Sequence, residues 1–113
     1  MSYDISIGGE SFNYTYNVSK LFYDHIADNG QGGGLRELDG KTGKACGDII
    51  AVAFEEIQLT YLKDWSEKHV GEPVFRARYD SKNGWGSTVG ALIFLSKVMA
   101  ACYQNPRKRL RLS

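Results

Sequence analysis

The chain opens on alternation. Tyr3, Ile5 and Ile7 fall on one side of an extended segment, and after Gly8-Gly9 the same period resumes at Phe12, Tyr14 and Tyr16. Period-two runs on both sides of a glycine pair predict an antiparallel hairpin, because glycine accepts the positive φ that tight hairpin turns demand. With Phe12, Tyr14 and Tyr16 turned to the core, Asn13, Thr15 and Asn17 form a polar row on the other side.

The period then lengthens. Between Val18 and about Asp28, Leu21, Phe22 and Ile26 recur at helical spacing, with Asn17 or Ser19 available as a cap. Asn29 to Gly34 holds four glycines in six residues, the composition of a mobile loop or of backbone that approaches a ligand closely; the mobile loop is the ordinary reading. The strongest helical stripe runs from about Lys44 to His69, through Cys46, Ile49, Ile50, Ala53, Phe54, Ile57, Tyr61, Leu62 and Trp65, with Glu55, Glu56, Lys63, Asp64 and Glu67 on the solvent side. Gly71-Glu72-Pro73 ends it, Val74 to Tyr79 reads as extended, and Asn83-Gly84-Trp85-Gly86 as a turn. Ser87 then caps a second strong helix whose apolar face is Thr88, Ala91, Leu92, Leu95, Val98, Met99 and Cys102, ending by about Tyr103. Asn105-Pro106 stops it, and Lys108 to Leu112 alternates charge with leucine as an edge strand does. Strands at the termini with helices between them predict an α+β fold: a small antiparallel sheet packed against two or three helices, one domain over residues 1–113.

Composition adds little to this. At 42% hydrophobic and 24% charged, 113 residues build one core without disulfides or metal. Cys46 and Cys102 sit inside the helical stripes, which predicts buried thiols in a reducing compartment. No apolar run reaches the roughly 18 residues of a membrane span, and Met1-Ser2-Tyr3-Asp4 lacks the character of a signal peptide, so a cytoplasmic protein without membrane contact is expected. Gly40-Lys41-Thr42 ends like a phosphate-binding loop, but Gly34 precedes it by one residue too many. Trp85-Gly86-Ser87-Thr88-Val89 fails the nucleophile-elbow pattern, and His25 and His69 show no zinc spacing with the cysteines. No catalytic residue, metal or cofactor is assigned.

Charge is unevenly placed. Residues 1–106 carry 10 basic and 13 acidic side chains, a net −3, whereas Arg107, Lys108, Arg109 and Arg111 add +4. Such a cluster contacts phosphate or an acidic partner, or simply keeps an edge strand soluble. The other candidate surface joins Asn13, Tyr14, Tyr16 and Asn17 to the segment from Tyr79 to Ser87, with Asn83 and Trp85, and with Arg76 and Arg78 nearby in sequence. If the segments converge, tyrosine, tryptophan and arginine stack a ring and clamp a phosphate or carboxylate; otherwise Tyr14, Tyr16 and Trp85 fill the core with their polar edges satisfied.

Two stretches carry a resemblance. Tyr3-Asp4-Ile5-Ser6-Ile7-Gly8 with Phe12-Asn13-Tyr14-Thr15-Tyr16-Asn17-Val18, and Asn83-Gly84-Trp85-Gly86-Ser87 with Gly90-Ala91-Leu92, resemble small uncharacterised proteins of bacteriophage and actinobacterial genomes over most of the chain. The resemblance implies a phage or prophage accessory protein acting inside a bacterium, and brings no catalytic residue with it. On that footing the leading expectation is a noncatalytic protein that binds a host component, a defence system such as CRISPR or a nucleotide-signalling pathway, as a protein inhibitor or as a sponge for a small anionic ligand, with an oligomer allowed. A nucleic-acid-binding protein using the basic carboxyl end is the alternative. An enzyme drawing on His69, Glu72, Tyr79 and Asp80 is the third.

Overall fold

The computed structural model describes residues 2–30, 32–68 and 75–113. Strand β1 (Ser2–Ile7) and strand β2 (Glu10–Thr15) form the expected hairpin, in register from Ser2 opposite Thr15 to Ile7 opposite Glu10. Gly8 and Gly9 turn the corner at φ +59° and +84°, a pair of values that other residues rarely adopt. Strand β3 (Arg111–Leu112) adds antiparallel to the free edge of β1, giving the order β2-β1-β3. Three α-helices complete the fold, α3 lying against β1 and β2 and α2 packing along α3: α1 (Ser19–His25), α2 (Gly43–Lys68) and α3 (Thr88–Gln104). Short 3-10 turns occupy Tyr16–Val18 and Gly34–Leu38. The α+β fold read from the sequence is the fold of the chain.

Tyr3, Ile5 and Ile7 put one face of β1 into the core, where they join Leu21 and Phe22 of α1, Ile50 and Ile57 of α2, and Phe94, Leu95 and Val98 of α3. Cys46 and Cys102 are free thiols buried in this cluster, as their place in the stripes predicts. Ser87 caps α3, its hydroxyl accepting from Gly90 N–H at 2.9 Å.

Several local expectations are corrected. Asp64, read as solvent-facing, is fully buried. It lies seven residues, two helical turns, beyond buried Ile57 and so shares its side of α2. Leu62 and Trp65, read as core, fall off that line and are 58% and 46% exposed. Helix α1 is shorter than predicted, since Tyr16–Val18 takes the 3-10 form and the helix stops at His25. The glycine-rich loop is fastened rather than loose: Asp28 Oδ1 accepts from Gly30 N–H at 2.8 Å and Gly32 N–H at 3.3 Å, and the buried carboxylate of Glu37 accepts from Gly33 N–H at 3.1 Å. Residues 75–79 form no strand, while Val74 and the helix stop at Gly71-Glu72-Pro73 lie outside the described residues.

The segment after α3 runs alongside the start of α2. Gly43 N–H donates to Lys108 O at 2.7 Å and Lys44 N–H to Pro106 O at 3.1 Å, so carbonyls of the basic segment satisfy donors that a helix N-terminus leaves without partners of its own. Thr42 Oγ1 accepts from Ala45 N–H at 3.3 Å. Gly40 and Leu110 are also joined, Gly40 N–H to Leu110 O at 2.8 Å and Leu110 N–H to Lys41 O at 2.9 Å. The predicted edge strand over Lys108 to Leu112 is thus a bridge at Arg109, opposite Thr42, followed by β3.

This closeness depends on Gly43. A Cβ there would collide with the backbone of Asn105 and the carbonyl of Cys102. Gly43→Ala is expected to cost about 3 kcal/mol, the upper range of overpacking, because the obstacle is backbone that cannot rotate away. Urea denaturation followed by circular dichroism measures it, and Gly9→Ala, at an open turn position, reports the separate cost of positive φ.

Candidate functional site

The two polar-aromatic segments do converge. The Tyr14 hydroxyl donates to Ser87 O and accepts from Ser87 N–H, each at 3.1 Å, and its ring stacks on Phe94 with centroids 5.4 Å apart. Tyr14 is therefore a latch between the edge strand β2 and the start of α3, with its polar edge spent inside the protein. Asn17 Nδ2 donates to Trp85 O at 2.9 Å, and Asn83 Oδ1 accepts from Trp85 N–H at 2.9 Å. Gly86, at φ +119°, lets this loop press onto Thr15 and Val18, where a Cβ would come within 2.7 Å of the Thr15 methyl group. Trp85 is thereby held at both its backbone groups while its side chain is 73% exposed. It does not fill the core. Asn13 points from the outer face of the sheet, and Tyr16, beyond the end of β2, is exposed rather than turned inward with Phe12 and Tyr14.

Arg78 and Tyr79 are committed elsewhere. Arg78 donates through Nε to Asp64 Oδ1 at 2.7 Å and through its backbone N–H to Asp64 Oδ2 at 2.7 Å, with Nη2 2.6 Å from Oδ1. This accounts for the buried carboxylate on α2, and the hydrogen bond to Asp64 holds the Arg78 guanidinium above its ordinary pKa. The Tyr79 hydroxyl donates to Asp24 Oδ2 at 2.7 Å; burial, reinforced by that hydrogen bond, pushes it up to about 12. Arg76 reaches only Lys82 O, at 3.4 Å. At the carboxyl end, Arg109 Nη1 donates to Gly40 O at 2.6 Å, whereas Arg107, Lys108 and Arg111 are exposed and make no side-chain hydrogen bond or ion pair among the described residues.

A concavity that the sequence did not single out opens between β1, α1 and the Gly34–Leu38 turn. It has a volume of about 580 Å³, opens to solvent, and is lined by Tyr3, Tyr16, Ser19, Tyr23, Arg36, Asp39, Leu112 and Ser113. Tyr3 and Tyr16 meet edge to face with centroids 4.5 Å apart. Tyr3 donates to Ser19 Oγ and Ser19 Oγ to Tyr16 O, both at 2.7 Å, a relay that fixes this wall; burial raises the Tyr3 phenol above its usual range. Tyr23 lies over Gly34, where a Cβ would stand 3.1 Å from its ring. Asp39 Oδ1 accepts from Leu112 N–H at 3.0 Å. Of these residues only Tyr16 was among the sequence candidates. The glycine run was the available signal, since it permits backbone to approach a side chain or ligand closely, but nothing in the spacing tied it to Tyr3 or Arg36.

Among the described residues, His25 and Asp80 are occupied by structural bonds. His25 bonds Leu21 O at 2.8 Å through Nδ1 and Thr60 Oγ1 at 3.1 Å through Nε2. Asp80 accepts from Ala77 N–H at 3.0 Å and Thr88 N–H at 2.8 Å, holding the loop before α3. His69 and Glu72 lie outside the described residues. Among the described residues no helix is long and apolar enough to cross a membrane. No family model, curated protein or solved structure matches the chain.

Two stability measurements follow from these commitments. Arg78→Ala removes a cation bonded to the buried Asp64 carboxylate and is expected to lower stability, while Asp64→Asn with Arg78→Ala recovers part of that loss, as double-mutant denaturation would show. For Tyr79, a folded pKa above the unfolded value means that its contribution is intact below pH 10 and is lost as pH rises toward about 12. The stability difference between wild type and Tyr79→Phe should therefore shift against the wild type across that window, by less than the full shift would give because solvent screens this partly exposed group.

Proposed function

We propose that this protein is a noncatalytic bacteriophage accessory protein that binds a protein component of the bacterial host, within an antiviral defence system, using Trp85 as its anchor. The observation that carries this reading is the presentation of Trp85. Three-quarters of a large aromatic side chain stands in water at the tip of a loop whose backbone is bonded to Asn17 and Asn83. Exposing an indole forgoes apolar burial, and fixing its backbone beforehand removes part of the ordering cost of association. Tryptophan is also among the residues that dominate binding energy at protein interfaces. The resemblance of the Asn83–Ser87 stretch to phage proteins supports the setting. Arg76, exposed and bonded to Lys82 O in the same loop, is a candidate polar contact beside the anchor.

A second reading rests on the carboxyl end. Arg107, Lys108 and Arg111 are cations without an ion pair among the described residues, on a segment whose backbone is tied to the start of α2, a geometry suited to phosphates of a nucleic acid.

One experiment separates the two. A photoreactive residue replacing exposed Lys82, expressed in a phage-challenged bacterium, would link the protein to its partner for identification by mass spectrometry. Titration calorimetry of the purified partner should then show a loss of about 30-fold or more on Trp85→Ala, the effect of removing an interface hot spot. Undiminished affinity in Trp85→Ala overturns the protein-inhibitor reading. Linkage to nucleic acid, with affinity falling steeply as salt rises and insensitive to Trp85, establishes the second.

A further inference from the structure

We infer that the tyrosine-lined cavity is a mononucleotide site, with the base packed against Tyr16 and Tyr23 and the phosphate on Arg36. This goes beyond the Trp85 surface and shares no side chain with it. The volume of about 580 Å³ lies within the roughly 300–1,000 Å³ typical of pockets for small molecules, and the walls are already fixed by the Tyr3, Ser19 and Tyr16 relay.

The partner accounting selects the ligand. Arg78 and Arg109 are spent on Asp64 and on Gly40 O, whereas the Arg36 guanidinium makes no hydrogen bond or ion pair among the described residues. The hydroxyls of Tyr16 and Tyr23 make no hydrogen bond among the described residues either, so the cavity faces a ligand with unspent donors beside aromatic surface. A wholly apolar ligand would leave the guanidinium and phenols unanswered, and free phosphate would leave the rings bare. An aromatic ring that carries an anion uses both, through base–aromatic stacking and a charge-assisted pair of hydrogen bonds to a guanidinium. Asp39 narrows the choice. Its Oδ1 accepts from Leu112 N–H, leaving Oδ2 to accept from a ribose hydroxyl or a base amino group, while its negative charge disfavours a polyphosphate or a nucleic-acid strand. One phosphate opposite one arginine, with a neutral hydrogen-bond donor opposite the aspartate, describes a mononucleotide.

The test is titration calorimetry of the full chain with the four common ribonucleoside 5′-monophosphates, the matching nucleosides, inorganic phosphate, and a short single strand bearing a 5′-phosphate. At least one monophosphate should bind, with its nucleoside and free phosphate each about tenfold weaker or more. Arg36→Gln should weaken binding about tenfold or more and Tyr16→Leu about fivefold or more. Both replace exposed side chains, and unchanged thermal melts confirm that they fold. Trp85→Ala should bind as the wild type does, so a failed protein partnership and a failed nucleotide site are told apart. No binding of any monophosphate up to about 1 mM, the weak end of the affinity scale, overturns the inference. So does binding that Arg36→Gln leaves intact, or a strand that binds more tightly than its monophosphate.

Discussion

The architecture turns on the approach of α2 to the carboxyl end of α3 at Gly43. There the backbone of one helix start lies directly against the carbonyls that close the other, with no space for a side chain. Gly47, one turn on, leaves room for the side-chain ring of Tyr103, a Cβ there standing 2.7 Å from it. The backbone contact at Gly43 is the more unforgiving, because neither partner there has a rotamer to change. It also does more than join two helices. By bringing the residues after α3 beside residues 40–44, it lets the carbonyls of Pro106 and Lys108 occupy donors at the start of α2.

From that junction the chain is led to the sheet. Leu110, buried and paired with Gly40 and Lys41, delivers Arg111 and Leu112 to the edge of β1. Leu112 N–H then bonds Asp39, and these two residues form one side of the tyrosine-lined cavity. The cavity is thus assembled from pieces far apart in sequence: a strand from the amino end, a short helix, a glycine-bounded turn and the last strand. Its shape depends on a helix junction that contributes no residue to it.

Much of this fold was legible because periodicity follows from local geometry. The hairpin showed in period two around Gly8-Gly9, and α3 in its stripe and the Ser87 cap. What escaped was set by partners distant in sequence. Asp64 looked like solvent-facing charge because a carboxylate is ordinarily at the surface, and Arg78, fourteen residues away, is a partner that spacing along the helix could not show. Trp65 looked like core because it continued the spacing of threes and fours, yet the buried line of α2 at this level passes through Ile57 and Asp64, and Trp65 falls off it. The site was less legible than the fold. Sequence offered the convergence of Tyr14, Asn17 and Trp85 only as a condition, and did not show that Tyr14 is spent on Ser87, or that Arg36, in a segment that offered no pattern, makes no side-chain bond among the described residues.

The division between spent and unspent polar groups bears most on function. An arginine or tyrosine in a candidate surface means little until its hydrogen bonds are counted, because a buried donor without a partner costs as much as an interface contact gains. Counted in this way, Arg78, Tyr79, Tyr14 and Arg109 hold the protein together. Trp85, Tyr16, Tyr23 and Arg36 do not, and each stands on backbone that other residues have made rigid. The polar groups of the second kind make no side-chain hydrogen bond among the described residues. A place on a fixed scaffold, facing solvent or a concavity, is useful to a partner or a ligand, and the exposed indole and the tyrosine-lined cavity offer two such places of different shape. The indole projects and suits a surface that receives it, whereas the cavity encloses and suits a small molecule that enters it.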